Sequence, residues 1–354
     1  MLGMGAVSAQ DDLAGIDPTG QTITYWHQYQ NESAQGDTMA ALIEEFNSTN
    51  EWGITVEGSF QGSYNALGEA INAGIISGEL PNMVAGYANA AASYARDNTV
   101  VDLAPYIASP EWGLGETPDI NQSLLDANTV DGFVMAFPNQ SSVQVLAYNQ
   151  DLLEELGFDG PATTPEEFKE QVCASAESTG PNGEDRLGFP ITTDASAFES
   201  WVAGAGGSLY HDGAFDFTSD AVVSTLQLYQ DLYNEGCAYI PAERFAEQTD
   251  FNLGLTPYYV TSSAGFTFII SGFDDADYHP EWGITTFPYS EGNQSINAFI
   301  PSIIVLESTP EQELASWLFL KYLASPEVAV AWSEGSGYFN PVPSTAATLE
   351  SSTN

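Results

Sequence analysis

Basic residues are almost absent from this chain. Five lysines and arginines stand against 49 aspartates and glutamates, for a formal net charge of −44. Phosphate backbones are bound through a basic footprint, so no nucleic-acid partner is expected. An anionic membrane surface would be repelled for the same reason. No apolar run reaches the roughly 18 residues that a membrane helix requires. Histidine is scarce too: His27, His211 and His279 are the only three, none at ligand-like spacing from a cysteine, so no metal site is expected. Ser-His-Asp spacing, a phosphate-cradling glycine motif and a zinc motif are all missing. Among 49 acids, closely spaced carboxylates carry no information about glycosidase chemistry. The acidic stretch "DDADYH" (Asp274 to His279) reads as a solvated loop before it reads as a calcium site. These residues therefore carry no recognisable catalytic motif, and no cofactor is expected.

Cysteine is limited to Cys173 and Cys237. An even count in an exported protein points to one disulfide, with two buried thiols as the alternative. Both cysteines fall on predicted helices of one region. Export is suggested by "MLGMGAVSAQ", where Val7-Ser8-Ala9 resembles the small-residue end of a secretory signal, although the positive and apolar regions that normally precede it are missing. A periplasmic or extracellular location follows. The charge fits a solvated, secreted or salt-adapted protein.

What is present is ample for a folded protein. The 354 residues, 43% hydrophobic, are long enough for two domains with sizeable cores. "TITYWHQY" (Thr22 to Tyr29) alternates as a short strand buried mainly on one face, then ends in Trp26, His27, Gln28 and Tyr29 rather than in turn formers. Large rings and amides together offer flat apolar faces and polar edges, which is what sugar rings need. "TMAALIEEFNSTN" places Met39, Leu42, Ile43 and Phe46 on one helical face. "GITVEGSF" is a second strand, "SYNALGEAINAGIISGE" a second helix, and "PNMVAGYAN" a third strand ending in Tyr87 and Asn89. This alternation implies a parallel α/β sheet, in which ligands bind beyond the C-terminal strand ends. Trp26, Tyr64 and Tyr87 lie there. Further on, "PNQSS" interrupts a strand as a segment crossing between lobes would. "TTPEEF" carries a capping box at Thr164 and Glu167, and "TSDAVVSTLQLYQDLYNEG" a second capped helix closed by Gly236. "PYYVTSSAGFTFII" and "NAFIPSIIVL" read as strands, and "EQELASWLFLKYLAS" and "PEVAVAWSEGSG" as helices.

Taken in order, "TITYWHQY", "GSYNAL", "SGELPNMVAGY", "VLAYNQDLLEELGF", "PATTPEEF", "FNLGLTPYYVTSSAGF" and "KYLASPEVAVAWSEGSGYFNPV" resemble the extracellular solute-binding proteins of ABC importers, carbohydrate-binding family 1. The nearest look is to the glycerol-3-phosphate-binding branch. The resemblance spans about residues 20–345. It implies an α/β fold of two lobes of the periplasmic-binding-protein type II kind, joined by crossing strands. The expected division is a leader at 1–19, an N-terminal lobe at 20–140 plus 297–342, and a C-terminal lobe at 141–296 plus 343–354. It also implies that a ligand is held between closing lobes without being chemically changed, and that the closed, monomeric receptor docks on the transmembrane subunits of a permease. The family usually continues well past the Gly-Tyr turn, so the second lobe is expected to be incomplete at Asn354.

Site positions transfer in part. Tyr64, one serine of Ser141-Ser142, one of Ser262-Ser263, and Tyr338 in "GSGYFNP" match ligand-contacting places of that branch. An acid expected after Tyr87 is replaced by Ala88 and Asn89, and of an expected aromatic pair only Trp201 remains nearby. Trp26 is either a stacking ring or a core residue; His27 is expected to hydrogen-bond beside the ligand. The family's late arginine has no counterpart, so a neutral sugar is expected rather than a phosphate ester. A cationic ligand such as a polyamine on the same fold, and a secreted glycoside hydrolase or lyase, are the competing readings.

Overall fold

A computed structural model of the chain describes residues 13–115, 118–180, 183–211, 213–243 and 245–352. Most of the expected leader lies outside them. The chain forms two units, one running to Ser141 and resuming at Ile300, the other being Ser142–Phe299.

The first unit is built on β1 (Thr22–His27), whose alternation is realised as expected: Ile23, Tyr25 and His27 are buried, while Thr24 and Trp26 are partly exposed. β1 pairs in parallel with β2 (Thr55–Phe60) on one side and β3 (Met83–Gly86) on the other. The helix α1 (Ala34–Thr49) connects β1 to β2, α2 (Tyr64–Ser77) connects β2 to β3, and α3 (Ala88–Ala95) follows β3. Ser33 and Ser63 cap α1 and α2, their hydroxyls accepting from the N–H groups of Gly36 and Ala66. α1 buries Met39, Leu42 and Phe46, whose spacing puts them on one face.

The sheet is mixed rather than wholly parallel. Ser302–Val305, buried at all four residues, enters after the second crossing and pairs antiparallel with β3 and with Phe137–Pro138. Its direction is set by where the chain returns, which no local pattern encodes. The helices Pro310–Leu323 and Pro326–Ser336 complete this unit, with Trp317 fully buried. Residues 343–352 also belong here rather than to the second lobe: the Ser352 hydroxyl donates to Glu334 (2.7 Å), and the Thr345 hydroxyl donates to Asn340 Oδ1 (3.1 Å).

The second unit centres on Ser142–Asn149, which pairs antiparallel with Tyr258–Ser262, Trp282–Thr285 and Ala298–Phe299. The last pairing puts residues 297–299, expected in the N-terminal lobe, into this unit. The helix Pro165–Ala176 has the full capping box, Thr164 and Glu167 each bonding the other's backbone. Cys173 on that helix is disulfide-bonded to Cys237. Cys237 itself is not helical: it follows Gly236, whose φ of 78° ends the helix Asp220–Asn234. That helix also lacks the expected side-chain cap, the Ser219 hydroxyl being buried without a hydrogen-bond partner among the described residues. "GFTFII" is not a strand but the start of the helix Phe266–Ala276. Its β-prone composition misleads, whereas Ile269 and Phe273, four residues apart, are the buried pair of a helical face.

Candidate functional site

The C-terminal ends of β1, β2 and β3 carry a connected group of rings within the first unit. Tyr25 and His27, two residues apart, leave the same face of β1 with ring centroids 5.3 Å apart. His27 meets Tyr29 at 5.3 Å, Tyr29 meets Trp332 edge-on at 5.1 Å, and Trp332 lies nearly parallel to Tyr338 at 6.2 Å. A second pair stands at helix starts. Tyr64 opens α2, Tyr87 is the residue before α3, and their rings are 4.8 Å apart. The Tyr64 hydroxyl joins the two groups. Burial first, and then the electrostatic influence of Tyr338, Tyr29, Tyr87 and Tyr25, push its pKa well above the ordinary tyrosine value.

Amides anchor the group from behind. The Tyr29 hydroxyl donates to Gln140 Oε1 (3.0 Å) and accepts from Asn139 Nδ2 (3.5 Å), both amide residues being buried. The half-buried Ser141 exchanges backbone hydrogen bonds with Phe339 (2.7 and 2.9 Å), tying the crossing segment to the loop that presents Tyr338. Gly337, at φ 77°, ends the helix Pro326–Ser336 in the left-handed region and turns the chain into Tyr338. The Tyr64 hydroxyl and Trp332 Nε1 are buried with no hydrogen-bond partner among the described residues. Buried donors left without a partner are costly.

No formal charge enters this cluster near neutral pH. Burial lowers the His27 pKa to about 4, with a smaller opposing pull from the Tyr29 backbone. Burial likewise raises Tyr29 and Tyr338.

The other expected residues fall elsewhere. Trp26 leaves β1 on the face opposite His27 and is packed, half-buried, against the core. Asn89 is exposed on α3, its carbonyl oxygen accepting from the Ala90 N–H (2.9 Å). In the second unit, Ser142 and Ser263 are buried and Ser262 is half-buried at the end of its strand. The Ser263 hydroxyl accepts from the Val143 N–H (3.2 Å), so it serves the backbone. Ser262 is the register partner of Gln144, a buried amide that sequence reasoning passed over; Gln144 accepts from Ser200 (2.8 Å) and donates to Asp194 (3.5 Å). Trp201 is a core residue, not a ligand contact. It is 2% exposed and packed edge-on against Phe168 (4.9 Å) and Phe287 (5.4 Å).

Tyr25, Tyr29, Asn139, Gln140 and Trp332 were also not singled out as site residues. The signal for Tyr29 and the two amides was present in "WHQY" and "PNQSS". Trp332 is buried in the core and also backs Tyr338.

Comparison with known proteins agrees with this architecture. An sn-glycerol-3-phosphate-binding periplasmic protein UgpB from Yersinia pestis bv. Antiqua is 22% identical over 350 residues, covering 93% of this chain and 75% of its own. The GacH receptor of Streptomyces glaucescens superposes with a TM-score of 0.81 at 19% identity, covering 95% of this chain and 84% of that one. The cyclic alpha-maltosyl-1,6-maltose binding protein from Arthrobacter globiformis gives a TM-score of 0.74 at 23% identity, over 93% and 82% of the two chains. The profile of the bacterial extracellular solute-binding proteins matches residues 41–354, and to that family this chain belongs.

Proposed function

We propose that the chain is the exported binding receptor of an ABC importer, that it captures a neutral mono- or oligosaccharide, and that it acts as a monomer delivering it to a permease of two transmembrane subunits. The observation that carries the ligand class is the uncharged cluster of Tyr25, His27, Tyr29, Tyr64, Tyr87 and Tyr338, ring faces beside hydroxyls and amides with no cation among them. Tyr64 and Tyr338 supply the stacking faces. Two of the similar structures are a receptor solved in complex with acarbose and a cyclic alpha-maltosyl-1,6-maltose binding protein. A micromolar complex needs about −8 kcal/mol net, within reach of a few hydrogen bonds and two stacked rings.

The glycerol-3-phosphate reading has one observation in its favour: α2 and α3 both start at the cluster, and helix N-termini attract anions. Against it stands the placement of the basic residues. Arg186 is buried in a bidentate pair with Glu155 (3.0 and 2.7 Å), Lys169 is paired with Glu235 (2.6 Å), and Lys321 donates to the Trp112 carbonyl (3.1 Å). Arg96 caps the far end of α3 from Tyr87, and Arg244 lies outside the described residues. Neutral hydrogen bonds at about 1 kcal/mol each would have to hold the phosphate against the field of a −44 chain.

Calorimetry with maltose-type oligosaccharides, monosaccharides, glycerol 3-phosphate and spermidine tests the assignment. Neutral sugar binding that is indifferent to salt is expected. Tight binding of glycerol 3-phosphate alone would overturn it, and steep salt dependence with spermidine would favour the cationic reading. New reducing ends on incubation with oligosaccharides would reveal a hydrolase.

A further inference from the structure

In the second unit, the strand Phe189–Pro190 runs parallel to Ala238–Tyr239 and leads into the helix Ala195–Gly204. Connections of this kind, from the C-terminal end of a parallel strand to a helix, are where α/β layers meet ligands. Asp194 stands there as the N-cap of the helix. Its Oδ1 accepts from the Ala197 N–H (2.8 Å) and from Gln144 Nε2 (3.5 Å). Asp194 is exposed, and its Oδ2 has no hydrogen-bond or ion-pair partner among the described residues.

Helix capping does not account for what lies behind this carboxylate. Gln144 and Ser200 are each only 5% exposed, and the Ser200 hydroxyl donates to Gln144 Oε1 (2.8 Å), which aims the Gln144 amide N–H at Asp194. Burying an amide and a hydroxyl is costly, and here the pair fixes the direction of an exposed acid. Aromatic rings stand close by. Phe198 is half-buried with its ring centroid 6.1 Å from that of Tyr229, and burial first, then the Asp194 charge, raise the Tyr229 pKa.

Direction matters to one ligand class more than to others. A point charge is attracted by any carboxylate, and this chain offers it 49 acids. A hydroxyl donor must approach along a lone pair, so a carboxylate held in one orientation with one oxygen open discriminates among hydroxyls. We propose that Asp194 Oδ2 accepts a hydroxyl of the captured sugar, with Gln144 as the residue that positions it. This rests on the sugar-capture reading and adds to it a hydroxyl-specific acceptor in the second unit, one that repels a phosphate ester.

Calorimetry with glucose, xylose, maltose, maltotriose, glycerol 3-phosphate and spermidine, on the wild type and on Asp194→Asn, tests this. Asparagine caps helices as well as aspartate does, so D194N should melt within about 2 °C of the wild type. It should bind the tightest of the four sugars about tenfold more weakly or worse, because a charge-assisted hydrogen bond is lost. Gln144→Leu should weaken the same sugar by about threefold or more in the wild type and no further in D194N, since it acts only through the carboxylate. Unchanged sugar affinity in D194N would overturn the proposal, and equal losses from Gln144→Leu in both backgrounds would overturn the positioning role. Spermidine binding abolished by D194N, with sugar binding intact, would make Asp194 a cation site instead. Failure of the sugar-capture reading looks different: the wild type itself would bind none of the four sugars, and both conclusions would fall.

Discussion

Tyr338 lies flat against Trp332, the two ring planes within 10° and their centroids 6.2 Å apart. Trp332 is buried at 3% exposure while Tyr338 is only partly covered, so a core residue holds one face of a ring whose environment includes the Tyr29 and Tyr87 hydroxyls. A ring fixed in this way loses little rotamer freedom when a ligand stacks on it. Tyr338→Ala should therefore weaken sugar binding by about 1–3 kcal/mol, and Tyr338→Phe by less than half of that. Isothermal calorimetry on both variants reads the difference; equal losses would mean that the hydroxyl, not the face, makes the contact.

His27 should make stability pH-dependent. Its folded pKa of about 4 lies below the ordinary 6.5, so in the window between these values the unfolded chain binds a proton that the folded chain does not. The folded state is then fully favoured above pH 6.5 and loses that advantage as pH falls toward 4. By pH 5 the loss is about 2 kcal/mol, at 1.36 kcal/mol per unit. Urea unfolding at pH 7 and pH 5 should show it in the wild type. The His27→Gln variant should lose that part of the dependence and keep whatever its carboxylates contribute.

The Cys173–Cys237 bridge closes a loop of 64 residues within the second unit. On the chain-entropy model such a closure is worth about 4 kcal/mol. Protein recovered from outside the cytoplasm, denatured without reductant, should label no thiol. Reduction, or the double substitution of both cysteines by serine, should lower the unfolding free energy of that unit by about 2–4 kcal/mol in a denaturant titration. Two labelled thiols per chain would refute the bridge.

Salt should stabilise the fold and leave the ligand untouched. A net charge of −44 with five basic residues repels itself in the compact state, and salt screens that repulsion with a Debye length of about 10 Å at 0.1 M and 3 Å at 1 M. The melting temperature should climb between 0.1 and 1 M sodium chloride. The dissociation constant of a neutral sugar should change by less than twofold across the same range. A melting temperature that falls with salt would show that specific ion pairs, such as Arg186–Glu155, outweigh the net repulsion.

Local pattern alone determined a good deal. The alternation of Ile23, Tyr25 and His27, the one-sided apolar spacing of Met39, Leu42 and Phe46, and the capping box at Thr164 and Glu167 depend on neighbours within a few residues, and each is realised. The pairing of two cysteines needed only a count and a compartment. Tertiary structure decided the rest, because it depends on residues far apart in the chain. The direction of Ser302–Val305 is set by where the chain re-enters the first unit, and this turns a parallel sheet into a mixed one. "GFTFII" has strand-like composition, yet it lies in the helix Phe266–Ala276, where Ile269 and Phe273 are buried about one turn apart. Phe168 and Phe287 close around Trp201, and the turn at Gly337 lays Tyr338 across Trp332, six residues before it. Residue type announces that a ring or an amide has something to bond. Which partner it meets is fixed only when the strand ends, the helix starts and the crossing segment are folded together, since hydrogen bonds and ring contacts act over a few ångströms while pairs such as Tyr29 and Trp332 stand at opposite ends of the chain.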